Sequence, residues 1–333
     1  MLNIGIIGAG RIGKVHTQSI VNYVRTAKVV AVADPFITEE TAAWAEGLGA
    51  KVTKDYLDII NDPDIDIVLI CSSSDTHSQI SLEAIAAGKH VFCEKPIDLD
   101  VGRINAVLDA LKAKPELKYT VGFNRRFDHN FRAIRKAVES GAIGKVELVK
   151  VTSRDPAPPS AEYAARSGGI FMDMTIHDFD MVRYLSGEEV ESVFVQPAVL
   201  VDPAIGEAGD FDSAVITLKL KSGALAVIDN SRRCAYGYDQ RAEVFGSEGA
   251  AASANDAAST VCISTDAGVT GEKPLYFFLE RYMQAFATEV EEFIASVVND
   301  TPVPVDAQAG LAAVLIGIAA TESAKTGLPV KVG

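Results

Sequence analysis

Three stretches of the chain bring together side chains whose chemistry works in combination. Asp173, His177 and Asp180 stand four and three residues apart in Gly168-Gly169-Ile170-Phe171-Met172-Asp173-Met174-Thr175-Ile176-His177-Asp178-Phe179-Asp180. On one helix that spacing projects all three from one face, beside apolar Phe171, Ile176 and Met181. A carboxylate so placed fixes the tautomer of an imidazole and leaves its other nitrogen to take a proton. The same three groups also form a metal-ligand set, or a helix surface with no function, and no further His or Cys lies nearby in sequence. Glu94-Lys95-Pro96 directly follows the apolar run His90–Cys93. A lysine there either hydrogen-bonds a reacting hydroxyl or is a solvated strand-end charge. Arg125-Arg126 in residues 122–128 either reaches a cleft or is a solvated basic pair. His16, His77, His90 and His129 have no such companions and are expected to serve packing or capping.

A fourth stretch points to a cofactor. Gly8-Ala9-Gly10-Arg11-Ile12-Gly13 follows strand-like residues 3–7 and opens a helical pattern, the context in which G-x-G-x-x-G carries meaning. Gly8 permits a tight turn, and Gly13 permits close helix–strand packing. Between them Gly10, with Arg11 and Ile12 opening the helix, lets a pyrophosphate approach backbone N–H groups. The run 29–33 ends at Asp34, 26 residues after Gly8. A carboxylate there accepts both ribose hydroxyls and repels a 2′-phosphate, and Phe36 offers no compensating charge, so NAD is expected rather than NADP. The competing reading is a turn plus a helix-capping Asp. Ser72, after the run 67–71, and Glu94 with Lys95 stand at strand ends where a bound dinucleotide is met.

These residues need a scaffold. Leu2–Ile7, 29–33, 67–71, His90–Cys93 and Tyr119–Val121 are continuous apolar runs, and 41–48, 56–60, 78–87 and 101–111 have helical spacing between them. Such alternation predicts α/β architecture, a doubly wound parallel (Rossmann) sheet over residues 1–121. From 122 to 333 the grammar changes. Strands at 146–152, 190–195, 214–220 and 224–229 alternate apolar and polar residues, predicting an α+β domain with an open, largely antiparallel sheet. Helices are expected over 171–185, 279–298 and 307–325.

With 333 residues, about two domains are expected. Lys and Arg number 31 against 45 Asp and Glu, and the net charge of −14 argues against nucleic-acid or anionic-membrane partners. The longest weakly interrupted apolar stretch, 310–320, is short of the roughly 20 residues a bilayer helix needs. No basic, apolar leader precedes the first strand, and the four cysteines, Cys71, Cys93, Cys234 and Cys262, form no close pair. Buried reduced thiols in a cytoplasmic protein are expected.

Together these residues resemble the glucose–fructose oxidoreductase, inositol dehydrogenase and rhizopine catabolism family over essentially the whole chain. The Gly-rich turn, Glu94-Lys95-Pro96 and Asp173…His177 carry the family likeness. Ser153-Arg154-Asp155-Pro156-Ala157-Pro158-Pro159, residues 173–180, Asp229-Asn230-Ser231-Arg232-Arg233, Tyr236-Gly237-Tyr238-Asp239-Gln240-Arg241 and residues 273–282 are similar to its inositol branch. The resemblance implies a catalytic Lys95, an orienting acid at Asp173, a general base at His177, and further polyol contacts from Arg125, Asp155, Asp180 and Tyr238. It also implies NAD-dependent oxidation of an axial hydroxyl of myo-inositol to the 2-keto product, no metal, and a homotetramer. Three alternatives remain at this stage. A dehydrogenase of scyllo-inositol or another cyclic polyol or sugar would keep the same residues, a metal-dependent lyase or hydrolase would use the Asp/His face, and a dinucleotide-sensing protein would have no need of the proton relay.

Overall fold

The computed structural model describes residues 1–333, the side chain of residue 165 aside. The chain forms two compact units, Met1–Asn124 with Met283–Val314, and Arg125–Tyr282 with Leu315–Gly333.

In the first unit, β1 (Leu2–Ile7), β2 (Ala27–Ala33), β3 (Lys51–Thr53), β4 (Ile67–Ile70), β5 (His90–Cys93) and β6 (Tyr119–Val121) form one sheet ordered β3-β2-β1-β4-β5-β6. Every pairing is parallel. The connections carry α1 (Arg11–Tyr23), α2 (Glu39–Gly47), α3 (Leu57–Ile60), α4 (His77–Ala86) and α5 (Val101–Ala113). Both sheet faces are covered, which is why β4, Ile-Val-Leu-Ile, is buried at every residue. The strand order reverses between β1 and β4, the crevice where such sheets bind ligands.

The helix predicted over 279–298 is two, α11 (Phe278–Arg281) and α12 (Met283–Asn299), interrupted at Tyr282. Although it follows the second sheet in sequence, α12 belongs to the first unit: Val290, Phe293 and Ile294 join Ile4, Ile6, Val32, Leu69 and Phe92 in one core. Phe92 meets Phe293 edge-on at 5.9 Å. The boundary at 121/122 therefore omits a segment that returns. Apolar spacing establishes that 283–299 is helical, but not which sheet its face covers.

The second unit contains α6 (His129–Glu139), β7 (Val146–Arg154), α7 (Ala161–Arg166), α8 (Gly169–Asp173), α9 (Ile176–Ser186), β8 (Val190–Ala198), α10 (Pro203–Glu207), β9 (Ser213–Leu220), β10 (Leu225–Ser231), β11 (Asp239–Gly246) and β12 (Gly249–Ala252). The hairpin β13 (Cys262–Thr265) and β14 (Gly268–Gly271) follows, and α13 (Ala307–Thr326), which spans the division between the units, leads to β15 (Val330–Lys331). The large sheet is ordered β12-β11-β7-β10-β9-β8-β15. Only β7 and β10 pair in parallel, so their C-terminal ends finish side by side, with Arg154 opposite Ser231. The period-2 pattern matches the structure: along β9, Ala214, Ile216, Leu218 and Leu220 are buried and Val215, Thr217 and Lys219 exposed. β11 follows it too, with Gln240, Ala242, Val244 and Gly246 buried, whereas β12 and the hairpin have no buried residue.

Helix α13 is long and apolar enough to cross a membrane by length and composition, yet 61% of its apolar window is buried within the protein. All four cysteines are free, but Cys262 lies exposed on β13 rather than buried as expected. An isolated strand-edge position in a short hairpin has no core to enter.

One buried ion pair fastens α11 to α6. The Arg281 guanidinium donates to both oxygens of Asp128, the two side chains being 1% and 2% exposed, and reaches Asp256 at 2.9 Å. Asp128 also caps α6 by accepting from Asn130 and Phe131 N–H. Removing its charge leaves a buried cation short of partners and α6 uncapped, so Asp128→Ala is expected to cost about 3–5 kcal/mol in urea unfolding. Asp128→Asn, which keeps the capping oxygen, should cost less, and equal losses would remove the cap from the account.

Candidate active site

In the first unit the Gly-rich turn has the shape the sequence requires. Gly8 adopts a φ of 98°, and a Cβ there would lie 2.5 Å from the Cys71 carbonyl oxygen. At Gly13 a Cβ would meet the Gly8 oxygen at 1.9 Å. Gly10, the exposed residue preceding α1, has nothing within 4 Å of its missing Cβ, leaving the first N–H groups of α1 open to an approaching phosphate. Arg11 is exposed, and Ile12 packs its side chain on the core. Asp34, at the end of β2, accepts Ala9 N–H at 2.8 Å and Phe36 N–H at 2.8 Å. It thus closes the turn, and each oxygen retains a lone pair for a ribose hydroxyl. These residues fit an NAD molecule without rearrangement of the turn.

Ser72 and Lys95 follow β4 and β5 at the same end of the sheet. The buried His77 ring lies between their two loops, 2.8 Å from the Pro96 carbonyl and 3.1 Å from that of Ser72. Burial opposes its charge, but Cys93 and the two carbonyls outweigh it and lift its pKa to about 9. His16 has an acidic partner after all: its Nε2 lies 2.6 Å from Glu94 Oε1, with Phe92 and Phe286 edge-on to the ring. Glu289 of α12 is buried too, and burial with the Glu94 charge pushes its carboxyl well above the usual range. His16 holds Glu94, whose carboxylate also fills the space a side chain at Gly122 would need.

In the second unit the helix expected over 171–185 is broken. It ends at Asp173, resumes at Ile176, and is interrupted by Thr175, whose hydroxyl donates to Asn230 Oδ1 at 2.6 Å. Asp173 thus ends one helix and His177 lies in the first turn of the next, and both are half-buried. Asp173 accepts from Tyr163 Oη at 3.0 Å and faces Arg232 Nη1 at 3.4 Å. Asp180 does not share that face. It is fully buried and takes Arg126 on both oxygens, at 2.8 and 2.5 Å. Its carboxylate is committed to that pair, which takes it out of a three-ligand metal set.

Arg125 is likewise turned inward. It is 5% exposed and bonds Asp178 at 2.5 Å, and Ser153 Oγ also lies within reach. Asn230 donates to the second Asp178 oxygen at 2.9 Å, and Gln240 holds Ser153. Burial raises the Asp178 pKa and Arg125 opposes that rise, while the paired carboxylate holds the guanidinium fully charged despite its own burial. Asp178, Asn230, Gln240 and Ser153 are the functional support that spacing alone does not single out. The signal for Ser153, Asn230 and Gln240 is a polar residue placed where the strand pattern calls for an apolar one.

Asp155 and Tyr238 complete the group. Burial raises Asp155 to about 6 against the pull of Arg232 and Arg125. Tyr238 is buried against Tyr282 at 5.9 Å, and burial holds its hydroxyl protonated well past the usual range. The second unit therefore gathers carboxylates, a tyrosine and a histidine, donors and acceptors suited to a neutral polyhydroxylated molecule. A further group whose ligand atoms lie within 4.8 Å of one another, Asp128, His129 and Asp256, is crossed by the Arg281 guanidinium.

Residues 2–123 match the model of the oxidoreductase family with an NAD-binding Rossmann fold, and residues 131–252 that of the GFO/IDH/MocA C-terminal domain. The chain belongs to this family. It is an NAD-dependent oxidoreductase by that membership. It is 47% identical to the myo-inositol 2-dehydrogenase of Thermotoga maritima over 97% of this chain and 96% of that protein. Among solved structures, the myo-inositol dehydrogenase of Corynebacterium glutamicum superposes with a TM-score of 0.94 at 38% identity, covering 100% and 99% of the two chains. The Lactobacillus casei scyllo-inositol dehydrogenase, solved with NAD(H) and scyllo-inositol bound, gives 0.92 at 32% identity over 100% and 99%.

The raised Asp155 pKa has a stability consequence. The folded carboxyl binds its proton more tightly than the unfolded one, so stability falls as pH rises from about 4 to about 6 and the full cost is present at pH 7. Asp155→Asn, which has no charge to bury, is expected to gain stability at pH 7 by up to about 3 kcal/mol, with the gain vanishing below pH 4. Urea unfolding at the two pH values checks this; a destabilised variant at pH 7 would contradict it.

Proposed function

We propose that the chain oxidises myo-inositol at its axial hydroxyl to the 2-keto product, 2-keto-myo-inositol, with NAD. The carrying observation is the Asp173 carboxylate, held by Tyr163 and Arg232 at the helix break that half-buried His177 follows, in a unit whose other site groups suit a neutral polyol. Bound NAD supplies the hydride acceptor. His177 takes the hydroxyl proton on a ring nitrogen while Asp173 keeps the ring in the accepting tautomer. The Lys95 ammonium offsets charge developing on the substrate oxygen. Asp155 and Tyr238 hold other ring hydroxyls by accepting and donating hydrogen bonds. Gly8, Gly10, Arg11, Ile12 and Gly13 cradle the pyrophosphate, Asp34 accepts ribose hydroxyls, and Ser72 with Glu94 lines the rest of the cofactor path. Arg125 and Asp180 support these groups through their buried ion pairs.

The same reading makes the enzyme a cytoplasmic homotetramer. Free thiols fit the compartment. An apolar row on the outer face of the open sheet fits subunit pairing: Phe245 and Leu225, 46% and 54% exposed, flank Leu148 in register.

The test is NADH absorbance with myo-inositol, scyllo-inositol and glucose in parallel. Myo-inositol should give the highest kcat/KM. A higher value for scyllo-inositol would move the assignment to that isomer, and no NADH with any of the three would refute a polyol dehydrogenase. In the same assay His177→Ala should lose about 10² to 10⁴ in kcat with NADH binding nearly intact. Activity must also survive dialysis against chelator.

A further inference from the structure

Arg232 is the largest side chain among the fully buried residues, 1% exposed, and has no part in the mechanism above beyond contact with Asp173. It immediately follows β10, and its N–H is anchored on the Asp212 carbonyl at 2.8 Å. Because β7 and β10 run parallel with Arg154 opposite Ser231, the next residues, Asp155 and Arg232, leave adjacent strand ends together, and Asp155 N–H bonds Ser231 O at 2.9 Å. The guanidinium also links both ends of the short helix α8. Nη1 lies 3.4 Å from Asp173 at its C-terminus and Nη2 lies 3.6 Å from Asp210, whose other oxygen accepts Ile170 N–H at 2.9 Å in its first turn. Two carboxylates thus flank the cation, and its charge is also felt by Asp155 at the neighbouring strand end. Its Nε and Nη2 are buried with no hydrogen-bond partner, so the fold leaves its donors only partly used.

We infer that Arg232 is a positioning residue for the oxidation. It holds the Asp173 carboxylate in place and sets its charge next to the strand end that carries Asp155, so that Asp173 orients His177 and Asp155 accepts a substrate hydroxyl. A guanidinium suits this role because its planar fork serves acids on two sides without losing its charge. Without it, Asp173, Asp210 and Asp155 lose a shared cation, and like charges drive protons onto the one that burial already disfavours, Asp155. The charged groups facing the cluster are Asp155, Asp173, Asp178, Asp210 and Arg125.

The role rests on the proposed reaction, so its test has an arm that needs no turnover. Asp carboxyl carbons are labelled with ¹³C and titrated by NMR, the Asp155 signal being assigned by its loss in Asp155→Asn. In Arg232→Gln the Asp155 titration should move upward by about one pH unit or more, and Arg232→Lys should restore most of that shift. With myo-inositol and NAD, Arg232→Gln should lower kcat/KM for inositol at least about tenfold at pH 7 and move its acid limb upward in step with the NMR titration, while NADH affinity is unchanged and Arg232→Lys recovers part of the loss. An unmoved Asp155 titration in a folded Arg232→Gln overturns the inference whatever the kinetics. A moved titration with no inositol oxidation by the wild type refutes the proposed reaction instead. If Arg232→Gln fails to fold, Arg232→Lys decides: a residual loss in kcat/KM for inositol is expected, and a wild-type kcat/KM overturns the inference, since an ammonium cannot reach acids on both sides as the fork does.

Discussion

The second unit is organised around one buried ion pair, Arg125 with Asp178 at 2.5 Å. Neither charge survives burial alone, so each must be saturated by further polar groups, and those groups come from different elements. Ser153 comes from β7, Asn230 from β10 and Gln240 from β11, and Asn230 in turn takes the Thr175 hydroxyl. Thr175 is where the helix breaks, and the break is what presents Asp173 and His177. The requirement to satisfy a buried charge thus propagates through hydrogen bonds to the candidate proton acceptor. An apolar replacement of the pair could match its stability, but it would have no reason to fix Thr175.

Local chemistry was legible in the sequence and distant chemistry was not. The turn from Gly8 to Gly13 with Asp34 was readable because a tight turn, a strand before it and an acid at the next strand end are short-range demands. Runs buried on both faces and runs with one wet face likewise distinguished the two sheets. Partners far apart in the chain left no such trace. His16 reads as a packing residue because Glu94 stands 78 positions away. Nothing in spacing reveals that Arg125 pairs with Asp178, 53 residues away, or Asp180 with Arg126, 54 residues away. The continuous helix expected over 171–185 failed for the same reason, since the residue that breaks it answers to Asn230, 55 positions on.

The two units treat charge differently. In the first, burial pushes the Glu289 carboxyl up, Glu94 pairs with His16 and Asp34 is bonded to backbone N–H, so the Gly-rich turn meets a cofactor through neutral donors and one carboxylate. In the second, carboxylates converge on two buried guanidiniums, and Asp155 remains partly desolvated with a pKa near neutrality. That arrangement costs stability and gains hydrogen-bonding capacity toward a neutral ring of hydroxyls. A site built for an anionic substrate would instead leave its arginines free at the surface.

The central claim is that hydride leaves the carbon bearing the axial hydroxyl of myo-inositol and arrives on the nicotinamide. Incubating the enzyme with NAD and myo-inositol deuterated at that carbon, then analysing the reduced cofactor by mass spectrometry and proton NMR, tests it directly. The account predicts one deuterium per NADH, on one face of nicotinamide C4, and a 2-keto product without the label at that carbon. Reduced cofactor carrying no deuterium, or deuterium retained on the sugar while NADH forms, would contradict it.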